Sequence, residues 1–588
     1  MKGPSFVLSI FLVLSGGLAG TGCSSDASRN EPVPAFQQER SVDNSVVSGK
    51  VVDEHGDPVE FAIVRIQATT IQCLTDGQGH FSLPTEGQTY PFTVSAWKDK
   101  HYCAKQENVV PATSNLRLLL RRYQTTDNPH YEWVPPMGEG SCYSCKPGVT
   151  QVWLDNDAHA RSATNIRFLT MYNGTDAGGS KSPDTRYTKT RDYGQVPIPP
   201  DPKQPYYGPG YKLDFPGSDG NCAACHVPGA AVDAPYGTDP NAAAGVDRFG
   251  IHCDFCHKIA DVELDPRNGL PYPNMPGVLS LDIRRPFPED PERFQLFFGT
   301  FDDDNVPEED TRLPLIEQSQ FCAACHYGMF WNTVIYNSFG EWLDSPYSDP
   351  ISGQTCQNCH MPAPTIYKGK PITNVAPNGM GGVERDPLTI HAHTFPGAAD
   401  VELLQNSVTM DVGATLEGQT IVVEVRITND RTGHHVPTDS PLRHLILLVE
   451  ARDTSGQLLE LIEGGILPEW CGIGDPQLGY YGGLPGRAFA KVLMELWTEV
   501  SPSGSYWNQT FLVSDNRLPA FAEDISGYVF AIPAGSNSGS NRNESGDGGG
   551  SATVSVRLLY RRAFIELADQ KGWDLEDILM EETEIPLP

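Results

Sequence analysis

The chain has 588 residues, and its 74 acidic against 42 basic side chains give a formal charge of −32 at pH 7. This excess of negative charge repels nucleic acid and anionic membrane surfaces, so it argues against either as a direct partner. The length predicts several structural units, and the 57 Gly and 49 Pro predict a fold rich in loops.

The N-terminal segment, MKGPSFVLSIFLVLSGGLAGTGC, is typical of an export signal: Lys2 is basic, 5–14 is apolar, and small residues precede Cys23. Those small residues resemble a bacterial lipoprotein signal, which implies a lipid on Cys23; export without a lipid is the alternative. We expect a signal peptide over 1–22 and a lipid-anchored linker over 23–45. The mature chain would lie in the periplasm, or at the outer membrane or cell surface as a lipoprotein that touches the membrane only through its lipid.

Residues 46–121, the N-terminal β-domain, contain strand-like runs separated by turns, such as VVSGKVVDEHGDPVEFAIVRIQA and TDGQGHFSLP. This pattern resembles the small transthyretin-like, carboxypeptidase-regulatory domain of many exported bacterial proteins. The resemblance implies a β-sandwich that serves as a spacer or docking module without chemistry of its own. Because exported proteins form disulfides, Cys73 and Cys103 are a candidate pair.

Residues 122–395 contain five Cys-x-x-Cys pairs and little periodicity. The first pair, in SCYSCK, is followed by Lys146, whereas the other four, in CAACH, CDFCH, CAACH and CQNCH, are followed by His. Cys-x-x-Cys-His is the attachment signature of c-type haem, in which both thiols bond to the macrocycle and the His binds iron. A zinc ribbon needs two pairs per metal and gives no role to a His after each pair.

The sequence therefore predicts at least four haem c groups, and five when the Lys146 motif is counted; calcium is a further candidate cofactor. The predicted attachment residues are Cys142, Cys145, Cys222, Cys225, Cys253, Cys256, Cys322, Cys325, Cys356 and Cys359. The predicted axial ligands that follow them are Lys146, His226, His257, His326 and His360.

A six-coordinate iron needs a second axial ligand as well, and the chain has histidines to spare among its 15. His159 lies between the first and second motifs, His393 follows the last motif, and His434 lies in GHHVPTD further on. His252, directly before Cys253, is a weaker fourth candidate.

Residues 396–588, the C-terminal β-domain, return to a strand-like pattern in QTIVVEVRIT, RHLILLVEARD and ATVSVRLLYRRAF. We expect an immunoglobulin-like β-sandwich closed by one helix, FIELADQKGWDLEDILMEE. The predicted architecture is thus a loop-rich, mainly helical or irregular multihaem domain flanked by two β-sandwiches.

The chain from about 135 to 450 resembles the multihaem c-type cytochromes related to pentahaem nitrite reductase and octahaem hydroxylamine oxidoreductase. The order of SCYSCK before four CxxCH motifs carries the resemblance, as does EWLDSPYSDPISGQTCQNCHMP at the last one. GHHVPTD resembles the GHxxPTG element of related cytochromes, whose His ligates a haem, and this maps onto His434. The resemblance implies electron transport along the haems to a redox partner protein or a terminal acceptor.

The lysine in the first motif raises an alternative. In the pentahaem nitrite reductases that this chain resembles, the Lys of CxxCK binds the first haem, and nitrite is reduced on its open face. The resemblance therefore also implies an oxidoreductase that reduces nitrite, hydroxylamine or a sulfur oxyanion, with Lys146 as the proximal ligand of the active haem.

Two departures from those reductases keep electron transfer as the leading interpretation. Residues 258–321 contain no His where the reductases place a catalytic one, and the nearest Arg before SCYSCK is Arg122. Candidate substitutes are Arg161, Arg167 and Tyr172. If His159 or His130 binds the face of the first haem opposite Lys146, only electron transfer remains.

Overall fold

The computed structural model describes residues 46–185, 187–191, 194–288, 295–303, 310–533 and 552–588, all of which belong to one unit, Ser45–Pro588. The predicted signal peptide and linker, 1–45, lie outside the described residues. No helix in the described part of the chain is long and apolar enough to span a membrane.

The N-terminal β-domain consists of two sheets packed face to face. Its strands are β1 (Val46–Asp53), β2 (Ile63–Ile66), β3 (Gln72–Leu74), β4 (His80–Pro84), β5 (Phe92–Trp97), β6 (Ala104–Val109) and β7 (Leu116–Leu120). The strand orders are β4-β1-β7 and β3-β2-β5-β6. Alternating side chains, such as Phe81 and Leu83 of β4, are buried between the sheets. Cys73 and Cys103 are both free thiols, so the expected disulfide is not formed.

The haem region, residues 122–395, contains short helices and two-stranded sheets. Its helices are α1 (Cys142–Cys145), α2 (Pro147–Asn156), α3 (Ile166–Asn173), α4 (Tyr211–Asp214), α5 (Ala223–His226), α6 (Pro228–Ala231), α7 (Cys253–Cys256), α8 (Ala323–His326), α9 (Ser338–Leu343) and α10 (Cys356–His360). Its strand pairs are β8 (Tyr187–Arg191) with β9 (Gly194–Pro197), β10 (Ile259–Val262) with β11 (Leu281–Ile283), β12 (Phe297–Gly299) with β13 (Asp310–Arg312), β14 (Gly328–Phe330) with β15 (Thr333–Tyr336), and β16 (Ile366–Tyr367) with β17 (Lys370–Pro371). Its 3-10 helices are His159–Thr164, Pro240–Ala242, Gly245–Phe249, Gly277–Ser280, Pro314–Glu317, Ser319–Cys322, Pro346–Ser348, Asn378–Met380 and Pro387–Thr389.

The prediction of a mainly helical haem domain is wrong. The structure is 21% helix and 31% strand, and within the described part of the haem region the longest helix, α2, has 10 residues. Proline and glycine are the physical reason, because they end or restart the helices after one or two turns. Pro147 and Pro228, for example, each start a new helix directly after a Cys-x-x-Cys turn.

The C-terminal β-domain has a four-stranded and a five-stranded sheet, ordered β18-β19-β24-β21 and β23-β22-β20-β25-β26. Its elements are α11 (Val401–Gln405), β18 (Thr409–Glu417), β19 (Thr420–Thr428), β20 (His444–Asp453), β21 (Glu460–Glu463), β22 (Gly486–Glu495), β23 (Thr510–Asp515), β24 (Glu523–Ala531), β25 (Ala552–Arg561), α12 (Ile565–Lys571) and β26 (Ile578–Leu587), with 3-10 helices at Glu469–Cys471 and Pro476–Leu478. Leu445 and Leu447 of β20 face the core between the sheets, whereas Ile446 and Leu448 pack under a loop.

The predicted closing helix is too long. It ends at Lys571 because Gly572 adopts the left-handed conformation, with φ of 60°. Residues 578–587 instead form β26, which pairs with β25 in antiparallel register.

Lys571 also joins α12 to the haem region. Its buried ammonium donates hydrogen bonds to the carbonyls of Thr170, Thr175 and Pro209, at 3.1, 3.2 and 2.5 Å. Replacing Lys571 by methionine removes the donor from three acceptors, so we expect the free energy of unfolding to fall by about 1–3 kcal/mol in denaturant titrations. Lys370→Met, at an exposed position, should change it by less than about 0.5 kcal/mol. Equal losses in the two variants would contradict this role.

Candidate haem-binding centre

The five Cys-x-x-Cys motifs meet in the interior of the haem region. Each motif forms a single helical turn, α1, α5, α7, α8 or α10, and none of the ten cysteines of the five motifs is in a disulfide. Thiols of different motifs hydrogen-bond to one another: Cys142 with Cys253, Cys225 with Cys325, and Cys322 with Cys356. The first motif therefore contacts the third, and the fourth contacts both the second and the fifth.

A cavity of about 570 Å³ lies among these motifs. Its walls are largely apolar and include Phe255, Phe297 and Phe339. The predicted axial ligands that line it are Lys146, His159, His252, His257, His326, His360, His393 and His434. An apolar cavity edged by thiols and imidazoles suits a flat, apolar, iron-bearing macrocycle.

Three of the four predicted proximal histidines face a second histidine. Metal–imidazole bonds are about 2.0–2.1 Å long, so two imidazoles on opposite sides of one iron have ring centres roughly 6 Å apart. The observed pairs are His257 with His393 at 6.2 Å, His360 with His434 at 6.4 Å, and His326 with His159 at 6.1 Å. The spacing of all three pairs therefore fits one metal ion between the two rings.

Hydrogen bonds donated by Nδ1 to backbone carbonyls orient three of these six rings. The Nδ1 of His360 donates to the Pro396 carbonyl at 2.7 Å, and the Nδ1 of His434 donates to the His435 carbonyl at 2.9 Å. The Nδ1 of His257 donates to the carbonyl of Phe298. A bond of this kind places the proton on Nδ1 and leaves Nε2 as the nitrogen that can bind a metal.

Carboxylates orient the remaining pair. The Nδ1 of His159 lies 3.0 Å from the buried carboxylate of Asp157, and the Nδ1 of His326 lies 3.5 Å from that of Asp439. Burial by itself would lower the pKa of His326, but Asp439 raises it to about 9. Burial would likewise raise the pKa of Asp439, but His326 holds it well below its usual range.

The other three proximal histidines are kept neutral by their surroundings. Burial lowers the pKa of His226 and of His360 to about 4 and that of His257 to about 3. A neutral imidazole is the form that binds metal, so these rings are ready to act as ligands at pH 7.

His226 and His252 differ from the three pairs. The ring of His226 stacks on Phe168 at 3.8 Å, and among the described residues no second imidazole faces it at the spacing of the other pairs. His252 is buried, and its Nδ1 accepts a hydrogen bond from the backbone N–H of Phe255, which caps α7. This bond places the proton of a neutral His252 on Nε2, and the structure does not bring His252 opposite a proximal histidine.

The surroundings of Lys146 are also different. Its ammonium lies 3.0 Å from Oδ2 of Asp310 and 5.1 Å from the ring centre of Phe297. The two residues expected to cap this site lie elsewhere: His159 faces His326, and His130 is exposed.

The suggested substitutes for the missing arginine are also engaged elsewhere. The guanidinium of Arg161 donates to the carbonyls of Leu154 and Asp155, Arg167 donates to the carbonyl of Asp574, and the Tyr172 hydroxyl donates to the carbonyl of Asp219.

The residues missed by sequence reasoning are acidic side chains that hold the ligand loops. Besides Asp157 and Asp439, Glu341 accepts hydrogen bonds from the Thr438 hydroxyl and from the backbone N–H of His435, the latter at 3.2 Å. Arg517 of the C-terminal β-domain pairs with Glu341 at 2.8 Å. Two of these residues could have been found from the sequence, since Asp157 lies two residues before His159 and Asp439 lies within GHHVPTD. Nothing in the sequence near Glu341 indicated its role.

Metal sites of another kind are not found in the described residues, where no group of three or more His, Cys, Asp and Glu is placed to hold an ion. Calcium therefore stays a prediction without an assigned site.

The fold is similar to that of a penta-heme cytochrome c552 from Thermochromatium tepidum, with a TM-score of 0.50 and 17% sequence identity. The similarity covers 78% of this chain and 100% of that one, and at this identity it concerns the fold alone. Two cohesin–X-dockerin complexes from Acetivibrio cellulolyticus match 13% and 26% of the chain, each with a TM-score of 0.12, and carry no argument. No protein-family model and no curated protein matches the chain.

Proposed function

We propose that this chain is a multihaem c-type cytochrome that carries electrons along five covalently bound haems. The observation that supports it most strongly is the set of three histidine pairs with ring centres 6.1–6.4 Å apart, each containing the His of a Cys-x-x-Cys-His motif. The fold shared with a penta-heme cytochrome supports the same function. Bound haem supplies a one-electron carrier, and the five cysteine pairs would attach it.

The chain's own residues would tune and connect these carriers. The bonds from Nδ1 to carbonyls and carboxylates raise the basicity of the imidazoles and fix the directions of the rings. The first motif contacts the third, and the fourth contacts the second and the fifth. Cys256 of the third motif and Cys325 of the fourth lie near enough to interact electrostatically, which links the two groups, so the carriers would lie close enough for a continuous path.

The location and the partner follow from the sequence. We infer that the chain is exported and anchored by a lipid on Cys23, where a redox partner protein or a terminal acceptor outside the cytoplasm takes up the electrons. The signal-like segment 1–22 and the cysteine that follows it support this inference. The mass of the mature N-terminal peptide tests it, because a lipid on Cys23 adds a hydrocarbon mass that simple cleavage does not.

A second candidate function is reduction of nitrite, hydroxylamine or a sulfur oxyanion at the Lys146 motif. The observation that favours it is that neither of the two histidines suspected of capping this site does so, because His159 faces His326 and His130 is exposed. Such a reduction takes up protons as well as electrons.

Electron paramagnetic resonance of the oxidised protein separates the two functions. We expect low-spin signals from the three histidine-paired haems, and intact mass should show five haems. The His226 motif also lacks a second imidazole, so only a high-spin signal that Lys146→His alters would support the reductase, and an entirely low-spin spectrum would contradict it. Replacing Lys146 by histidine should leave electron transfer within about twofold of wild type. The same change should abolish turnover of nitrite or hydroxylamine if Lys146 serves a reductase; a variant that retains full turnover would exclude Lys146 from that role.

A further inference from the structure

The parallel strand pair β12–β13 contacts predicted ligands of two haem motifs. On β12, the carbonyl of Phe298 accepts the hydrogen bond from Nδ1 of His257, in the third motif. On β13, Asp310 holds the ammonium of Lys146, in the first motif, at 3.0 Å. The position of this small sheet therefore affects both ligands.

The N-terminal β-domain forms hydrogen bonds to β13 at Thr311, the residue next to Asp310. The indole N–H of Trp97 donates to the Thr311 hydroxyl at 3.1 Å, and that hydroxyl donates to the carbonyl of His101 at 2.6 Å. Thr311 is 1% exposed, and the guanidinium of Arg312 lies 5.6 Å from the ring centre of Trp97. Side chains alternate between the two faces of a strand, so Thr311 meets the β-domain while Asp310 turns towards Lys146.

The same domain holds both ends of β12. Before the strand, the Tyr102 hydroxyl donates to the carbonyl of Gln295 at 3.1 Å. After the strand, Arg65 pairs with Asp302 at 2.8 Å, and the backbone N–H of Ala68 donates to the carboxylate of Asp303 at 2.6 Å.

An apolar cluster fills the space between these polar contacts. Tyr102 packs there with Leu296, Phe298 and Leu313, all of them buried. The contacts thus hold the strand pair at several points from one side.

We propose that the N-terminal β-domain is a positioning element for the first and third haem motifs, with Thr311 as the residue through which it sets Asp310 and hence Lys146. This role differs from the spacer that the resemblance of 46–121 implies. It rests on the proposed function, in which Lys146 lies beside a covalently bound haem. Thr311 is a positioning residue, since it touches neither Lys146 nor any predicted attachment cysteine.

The test is Thr311→Val in the full-length, haem-loaded protein. The change preserves the shape of the side chain and removes both hydroxyl contacts. The spectroscopic signal of the first haem is assigned as the one that Lys146→His alters. We expect Thr311→Val to shift that signal and the midpoint potential of the same haem, while the second, fourth and fifth haems keep theirs. Thr311→Ser, which keeps the hydroxyl, should restore both.

Thr75→Val is the matched control. Thr75, like Thr311, is a buried threonine whose hydroxyl makes two hydrogen bonds, but it lies within the N-terminal β-domain, where it donates to the Val59 carbonyl and accepts from the Ala62 N–H. We expect this variant to lower thermal stability without shifting the signal of the first haem. A shift of equal size in Thr75→Val would mean that any weakening of the domain has the effect, and it would overturn the role of Thr311.

Two outcomes separate this inference from the proposed function. An intact mass with no covalent haem would overturn both, whereas four haems with none on Cys142 and Cys145 would overturn the inference and the count of five while leaving electron transfer along the other four. Five haems with an unchanged signal in Thr311→Val would overturn the inference and leave the cytochrome function standing. If Thr311→Val does not accumulate, Trp97→Phe provides the same comparison, because it removes the indole donor together with part of the ring and leaves the Thr311 hydroxyl bonded to His101.

Discussion

Replacing Lys258 by methionine will lower the free energy of unfolding by about 3–5 kcal/mol, because it leaves a buried carboxylate without its counter-charge. The side chains of Lys258 and its partner Asp254 are 0% and 2% exposed. Asp254 lies inside the third motif and also accepts hydrogen bonds from the Tyr131 hydroxyl at 2.9 Å and the Val134 N–H at 2.8 Å. The ion pair therefore anchors the segment before the first motif to the third.

Unfolding in denaturant, followed by the visible absorbance, measures this loss. Lys181→Met is the matched control, because Lys181 also pairs with an aspartate nearby in sequence, Asp184, but both side chains are more than half exposed. The control should cost less than about 1 kcal/mol. Adding Asp254→Asn to Lys258→Met removes the unpaired carboxylate charge of Asp254 and should recover part of the lost free energy of unfolding. A loss in Lys258→Met no larger than in the control would show that the pair is not a buried anchor.

The dependence of this stability on pH provides a second check. Burial would raise the pKa of Asp254, but Lys258 and the hydrogen-bond donors hold it below its ordinary value. A carboxylate whose pKa is lowered in the folded state adds stability above its unfolded pKa, about 3.9, and loses that contribution as the pH falls through the lower, folded value. The difference between wild type and the Asp254→Asn, Lys258→Met double variant should therefore shrink on acidification below pH ~4.

The haem motifs were the part of the site that the sequence could predict. Each motif is local, with two cysteines and a ligand within five residues, and it forms one helical turn wherever it occurs. The candidates His393 and His434 could be chosen for their position near the last motif, but their partners could not be deduced. His393 faces His257, more than a hundred residues earlier in the chain, because the fold and not the sequence order brings the two rings together.

The mistaken fold class has a different cause. The sequence shows little periodicity over 122–395, and this was interpreted as helical or irregular structure. The region instead forms two-stranded sheets such as β12–β13, which are too short to produce an alternating pattern. The role of the N-terminal β-domain was equally hidden, since the contact between Trp97 and Thr311 joins residues far apart in the chain.

The clearest test of the histidine pairs is His159→Leu. His159 was a suspect for capping the first haem, yet its ring lies 6.1 Å from that of His326, in the fourth motif. Asp157 holds its Nδ1 at 3.0 Å and so directs Nε2 away from the carboxylate. We therefore expect His159→Leu to convert the fourth haem from low spin to high spin, with the loss of one signal of the bis-histidine type in electron paramagnetic resonance.

His130→Leu is the control, because His130 was the other capping suspect and its side chain is exposed. Its spectrum should match that of wild type, and Asp157→Asn should perturb the same signal as His159→Leu while retaining low-spin iron. If His159→Leu instead altered the signal assigned through Lys146→His, His159 would belong to the first haem, and the reductase would lose its open site. Conversion of the fourth haem alone would show that His159 does not cap the first haem, which is a condition that the reductase requires.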